Sequence, residues 1–209
     1  MLLILLAFSF ITSLLLDFQF VSPYATLQED LTYLSENIQN QKISSYSWLA
    51  TSLATLITIP FYFRLFRKRL GFLAYLNGLF MLAASAGFLM MALSGLDLQR
   101  EMVMILAEGL ERAGEQAKLN LLGQFRQEQL YRLVGSSCVG LWALGLSFTK
   151  FRQARFPLVS TVLLMISGPV LVFFNWYDSD HLARTGAMAG IIIGVMIFCV
   201  RLINKGLSN

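Results

Sequence analysis

Six apolar stretches, at about residues 1–21, 48–63, 71–95, 133–149, 157–176 and 186–203, constrain this chain more than any other feature. A helix needs roughly 20 mainly apolar residues to cross the hydrocarbon of a bilayer, and these stretches reach or approach that length. Lipid offers no partner to an unpaired backbone group, so each is expected to be helical. The expectation is an all-α polytopic membrane helix bundle of about six transmembrane helices, forming one domain over residues 1–209. Composition agrees: 13% of residues are charged and 56% hydrophobic, with a mean hydropathy of +0.65. A soluble domain carries about a quarter charged residues.

The first stretch has two readings. It lacks the basic start and the closely following small-residue cleavage site of a secretory signal, so an uncleaved first span is expected. The links between stretches then set orientation. Residues 17–47 hold one basic and four acidic side chains, a balance of −3, whereas 64–70 hold Arg64, Arg67, Lys68 and Arg69, or +4. The balance is −1 over 96–132, +3 from Lys150, Arg152 and Arg155, −1 over 177–185, and +2 from Arg201 and Lys205. The sign alternates throughout. Basic residues in short links mark the cytoplasmic side, which predicts cytoplasmic termini and six spans. The net charge of +4 is thereby read as orientation, not as nucleic-acid binding.

Two of the outward segments, 26–45 and 97–131, show helical apolar spacing and are expected as amphipathic helices. Leu27, Leu31, Leu34 and Ile38 line the first; Met102, Ile105, Leu106, Leu110, Ala113, Ala117, Leu121 and Phe125 line the second. Gly109, Gly114 and Gly123 argue for two short helices or one bent helix on the outer surface. The alternative is that part of the segment dips into the bilayer.

Inside the spans, Gly186, Gly190 and Gly194 form a glycine zipper that lets another helix approach closely, in this chain or in a partner. Ser44, Ser47, Thr51, Thr55, Thr58 and Tyr62 form a hydroxyl stripe on the second span, with Pro60 near its inner end. Thr51, Thr55 and Thr58, with Asn77, would line a ligand path; alternatively, the hydroxyls bond their own helix's carbonyls or a neighbouring helix. Asn77 and Asn175 are expected as helix-to-helix hydrogen-bond partners. No ionisable residue lies deep in an expected span, which argues against an ion-coupled transporter. Cys138 and Cys199 fall within spans and read as buried thiols. His181 is the one histidine, so bis-histidine haem ligation is excluded. Asp178, Asp180 and His181 read as a solvated turn. No catalytic residue, metal site or cofactor is expected.

Two resemblances bear on this reading. Gly135-Ser136-Ser137-Cys138 and Asp180-His181-Leu-Ala-Arg184-Thr-Gly186 resemble the serine and histidine motifs of the rhomboid intramembrane proteases, which implies a Ser137 nucleophile. Cys138 stands where that family has a second glycine, and Arg184 where it has the histidine. In layout the chain is similar to an uncharacterised family of six-helix bacterial membrane proteins. That similarity rests on an outward helix after the first span, the Phe61-Tyr-Phe-Arg-Leu-Phe-Arg-Lys-Arg69 exit and the Lys150-Phe-Arg-Gln-Ala-Arg-Phe-Pro157 link. It implies a six-helix fold in a bacterial inner membrane and no particular activity.

The function expected is a non-catalytic accessory or structural subunit that packs against other membrane proteins or against copies of itself. The alternative is a binder or carrier of a lipid, quinone or other apolar molecule.

Overall fold

A computed structural model describes residues 36, 38–108, 114–151, 158–176 and 181–206. These residues form α1 (Ile38–Leu70), α2 (Phe72–Glu108), α3 (Glu115–Phe151), α4 (Leu158–Trp176) and α5 (His181–Gly206). No strand occurs among the described residues. The all-α expectation therefore holds. Each helix packs mainly on the next one in sequence, and paired residues show that consecutive helices run antiparallel. Ser52 meets Ser85, Ser94 meets Gln124, Asn175 meets Ser136, and Ser160 meets Gly194.

One residue joins α1 to α2. Gly71 has a φ of +48°, a left-handed conformation that costs an L side chain roughly 1–2 kcal/mol. α3 starts just after Gly114, whose carbonyl accepts from Ala117 and Lys118; Glu115 in its first turn suits the positive end of the helix dipole.

Three expectations need correction. First, of the helices described, only α2 and α4 are long and apolar enough to cross a membrane, over Phe72–Ile105 and Leu158–Trp176. Six were expected. The apolar part of α5 runs only from Gly186 to Phe198, while α1 and α3 are diluted by serine, threonine, glutamine and charged residues. The expected span 1–21 lies outside the described residues. Second, 97–131 does not form separate surface helices. Its first part is the end of α2, which closes at Glu108, and its second part the start of α3, which opens at Glu115 and runs unbroken through Gly123. Third, 38–45 is the beginning of α1 and continuous with the hydroxyl stripe; 26–35 lies outside the described residues. The apolar residues of 97–131 face each other across the hairpin. Leu98, Met102 and Ile105 pack against Leu121 and Phe125, with Ile38 and Ala117 at the edge.

The main core lies toward the other end. Trp48 stacks on Phe88 with ring centroids 4.7 Å apart, and Met91, Leu146, Leu164, Leu171 and Ile191 extend this core across all five helices. Much of what separates the helices is small or polar. Of six buried residues on α4, four are Ser160, Thr161, Ser167 and Gly168. Its exposed residues include Leu158, Val159, Val162, Met165, Ile166, Phe173 and Trp176. Only 33% of the apolar window of α4 is buried, and 44% of that of α2. Neither helix is mostly buried among the described residues.

Candidate functional site: a buried polar layer around Glu128

Between the two apolar cores lies a layer of buried polar groups. Glu128 on α3 and Gln41 on α1 are 4% and 3% exposed. Gln41 Nε2 donates to both carboxylate oxygens, at 2.9 Å to Oε1 and 2.8 Å to Oε2. Ser45, one turn along α1, donates to the Gln41 carbonyl at 3.0 Å. Gly95 of α2 makes the space. A Cβ there would overlap Ser45 Oγ and stand 3.3 Å from Glu128 Oε1 and 3.4 Å from Gln41 Nε2. The layer thus needs a glycine on one helix, an amide on the second and a carboxylate on the third. One turn away, Gln124 Nε2 donates to Glu101 Oε1 at 2.6 Å, tying α3 to α2 again. A buried carboxylate is tolerated only where hydrogen bonds replace its lost hydration, and Gln41 supplies two of them. Gly95 lies roughly 35 Å along α2 from Phe72, at 1.5 Å per residue.

Glu128 was not among the residues singled out from sequence. Its signal was present: Leu121, Phe125, Glu128 and Arg132 follow one another at spacings of four, three and four, so Glu128 continues the apolar stripe that ends at Phe125. Reading 97–131 as helices on the outer surface, with its charges counted only for orientation, hid it.

The residues that were singled out fall in several places. Thr51, Thr55 and Thr58 do share a face, and each donates to its own helix, to the carbonyls of Ser47, Thr51 and Ala54 at 2.9, 2.8 and 2.7 Å. Thr51 and Thr55 are buried, Thr58 partly so. Asn77, 1% exposed, fills a notch at Gly145, where a Cβ would overlap its amide. Gly190 and Gly194 receive α4: added Cβ atoms would meet Ser167 Oγ at the first and Leu164 at the second. Ser160 Oγ donates to the Gly194 carbonyl at 2.6 Å. Gly186, by contrast, has open space at its Cβ position.

Ser136 and Ser137 sit where α3 meets the end of α4. Asn175 Nδ2 donates to both hydroxyls, at 2.8 and 3.2 Å, and Trp176 Nε1 donates to Ser137 at 2.9 Å. Asn175 therefore bridges helices as expected. The side chains of His181, Arg184 and Cys199, and residues 177–180, lie outside what the structure describes. No group of three or more potential metal ligands occurs among the described residues.

The closest helix approaches were not foreseen. α3 and α4 touch at Gly140 and Gly168, where a Cβ on either would come within 2.5–2.7 Å of the other's carbonyl oxygen. α2 and α3 touch at Gly87 and Gly135, with a Cβ on Gly87 falling 2.9 Å from Gly135 Cα. Ser52 and Ser85, both buried, join α1 to α2: Ser52 Oγ lies 2.8 Å from the Ser85 carbonyl, and Ser85 Oγ 3.0 Å from that of Ser52.

Comparison of the chain with known protein families, curated proteins and solved structures finds no match.

Proposed function

We propose that this chain is an integral membrane helix bundle acting as a non-catalytic accessory or structural subunit beside other membrane proteins. The observation that carries the bilayer part is the apolar exterior. Small and polar groups share the helix contacts with the apolar cores, while Leu53, Leu56, Phe61, Leu79, Leu82, Val162 and Ile166 face outward, each 38–61% exposed. Apolar exteriors of this extent need a non-aqueous or protein cover, and small-residue interfaces are how helices pack where lipid replaces water. A hydrocarbon layer about 30 Å thick, entered near Phe72, ends close to the Glu128 layer. The second apolar core then projects beyond it as a head on the acidic side. The basic links would then lie on the cytoplasmic side of that bilayer.

The subunit part draws on the hydroxyl stripe. Its threonines donate to their own backbone, which suits a packing role better than a solvated path. Ser137 likewise receives hydrogen bonds from Asn175 and Trp176, which accounts for it as a helix joint. Extraction in mild detergent, sizing, and mass spectrometry of what co-purifies is the test. Stoichiometric protein partners are expected; a lone 23.5 kDa chain would sink the subunit reading. The alternative, a binder of an apolar molecule such as a lipid or quinone, is favoured by one outward groove between α1 and α2.

A further inference from the structure

The two flanks of α1 differ in a way that α2 does not explain. Ser45 and Ser52 face α2: a Cβ on Gly95 would overlap Ser45, and Ser52 bonds Ser85. Successive residues of a helix turn by about 100°. The residues before and after these serines therefore lie equally far round α1, on opposite sides. Ser44 and Thr51, on one side, are 3% and 1% exposed, whereas Tyr46 and Leu53, on the other, are 52% and 50% exposed. A single neighbour centred on Ser45 and Ser52 would leave the two sides alike. The buried side is the hydroxyl stripe, which stays buried at Thr55 and half-buried at Thr58. Something besides α2 lies along it.

α2 is the described helix that packs along α1, and α3 meets α1 through the long side chains of Gln41 and Glu128, at the head. From Ser44 to Thr58 the stripe runs roughly 21 Å, at 1.5 Å per residue, so its cover is of helix length. Residues 109–113, 152–157, 177–180 and 207–209 lie outside the described residues. The first three each join the ends of two packed helices, the last is shorter still, and none has length to spare for such a run. Residues 1–35 have it. Met1–Leu16 include no charged side chain. Residues 22–37 give that stretch a reach of roughly 20 Å from the start of α1, about twice the distance between packed helix axes. The hydroxyls of Thr51, Thr55 and Thr58 are bonded to their own helix. The stripe thus offers small side chains with their donors satisfied, against which another helix can lie closely.

We propose that the apolar stretch at 1–21 covers the hydroxyl stripe of α1, running antiparallel to it as each described helix does to the next. The proposal deepens the packing role given to the stripe and closes that face to a ligand path.

The test pairs Thr51→Cys with a cysteine at each of residues 4–16 in turn, in the full chain lacking Cys138 and Cys199, followed by mild oxidation. Size exclusion selects the variants that remain folded, and intact mass separates a disulfide within one chain from one between two. Bonds within one chain are expected at positions recurring every three or four residues. Their yield should exceed several-fold that of the same positions paired with Leu53→Cys on the exposed flank. Equal yields at Thr51 and Leu53 overturn the proposal. Bonds only between chains also overturn it, giving the face to a second copy while its packing role stands. Absence of any bond to Thr51→Cys in folded variants overturns it too. A small water-soluble thiol reagent then separates the two levels: a Thr51→Cys that resists the reagent retains the packing role with another cover, whereas one that reacts refutes that role as well.

Discussion

Glu128 concentrates the energetic risk of this fold in one side chain. Its carboxylate accepts both hydrogen bonds of the Gln41 amide in a space that Gly95 leaves open. Glu128→Ala leaves a buried amide donor without that partner and is expected to cost about 2 kcal/mol, read as a lowered unfolding midpoint by circular dichroism in detergent. Glu128→Gln retains the shape and should fall between the two. A midpoint unchanged in Glu128→Ala would mean the layer is solvated and does not join the helices. Gly71→Ala tests a different cause, backbone strain alone, because its Cβ position has open space around it. About 1–2 kcal/mol is expected there, and a neutral substitution would show that the joint relaxes. At this scale the sequence was partly legible. Asn175 and two of the three zipper glycines could be found from spacing within one helix. Glu128 lay on such a spacing too, continuing the stripe of Leu121 and Phe125, but Gly95 and Gln41 could not be found this way, because each acquires its role only when a second and third helix are brought alongside.

Helix pairs depend on backbone contact. At Gly140 and Gly168 there is no room for any side chain, and the listener on each side is a carbonyl oxygen, which cannot swing away as a side-chain tip can. Gly168→Val is expected to cost about 3 kcal/mol or to abolish folding, at the upper end of overpacking effects. Gly186→Ala, with open space at its Cβ position, should be tolerated, and the contrast between the two is measured as folded yield after size exclusion. Similar yields would show that α4 can move off α3. The four-residue series singled out Gly186, which meets nothing within the chain, whereas Gly140 recurs with Gly135 and Gly145 at five-residue spacing and Gly168 stands alone in its helix, so neither matched that pattern. The element boundaries show the same limit. Apolar runs located all the helices described, but α1, α2 and α3 extend well past those runs. Their polar ends stay helical because neighbouring helices pack beside them, and sequence periodicity carries no direct record of that neighbour.

The described residues divide into an apolar-jacketed body and a smaller head beyond the Glu128 layer, with Asp97, Arg100 and Arg126 exposed on the head. If the body sits in a bilayer, the head and the Gly71 joint lie on opposite sides. Single cysteines placed at Asp97 and at Arg64, in a background lacking Cys138 and Cys199, should react with a membrane-impermeant maleimide from opposite faces of sealed vesicles. Labelling of both from one face would refute the topology. Charge alternation along the sequence is what predicts this orientation, because orientation depends on where basic residues fall between helices and hardly on how the helices pack. The single-residue joint at Gly71 adds a geometric consequence. With one residue between α1 and α2 and the Ser52–Ser85 bonds joining them midway, the two helices form a single hairpin that places the basic link and the carboxylate layer at opposite ends, roughly 35 Å apart.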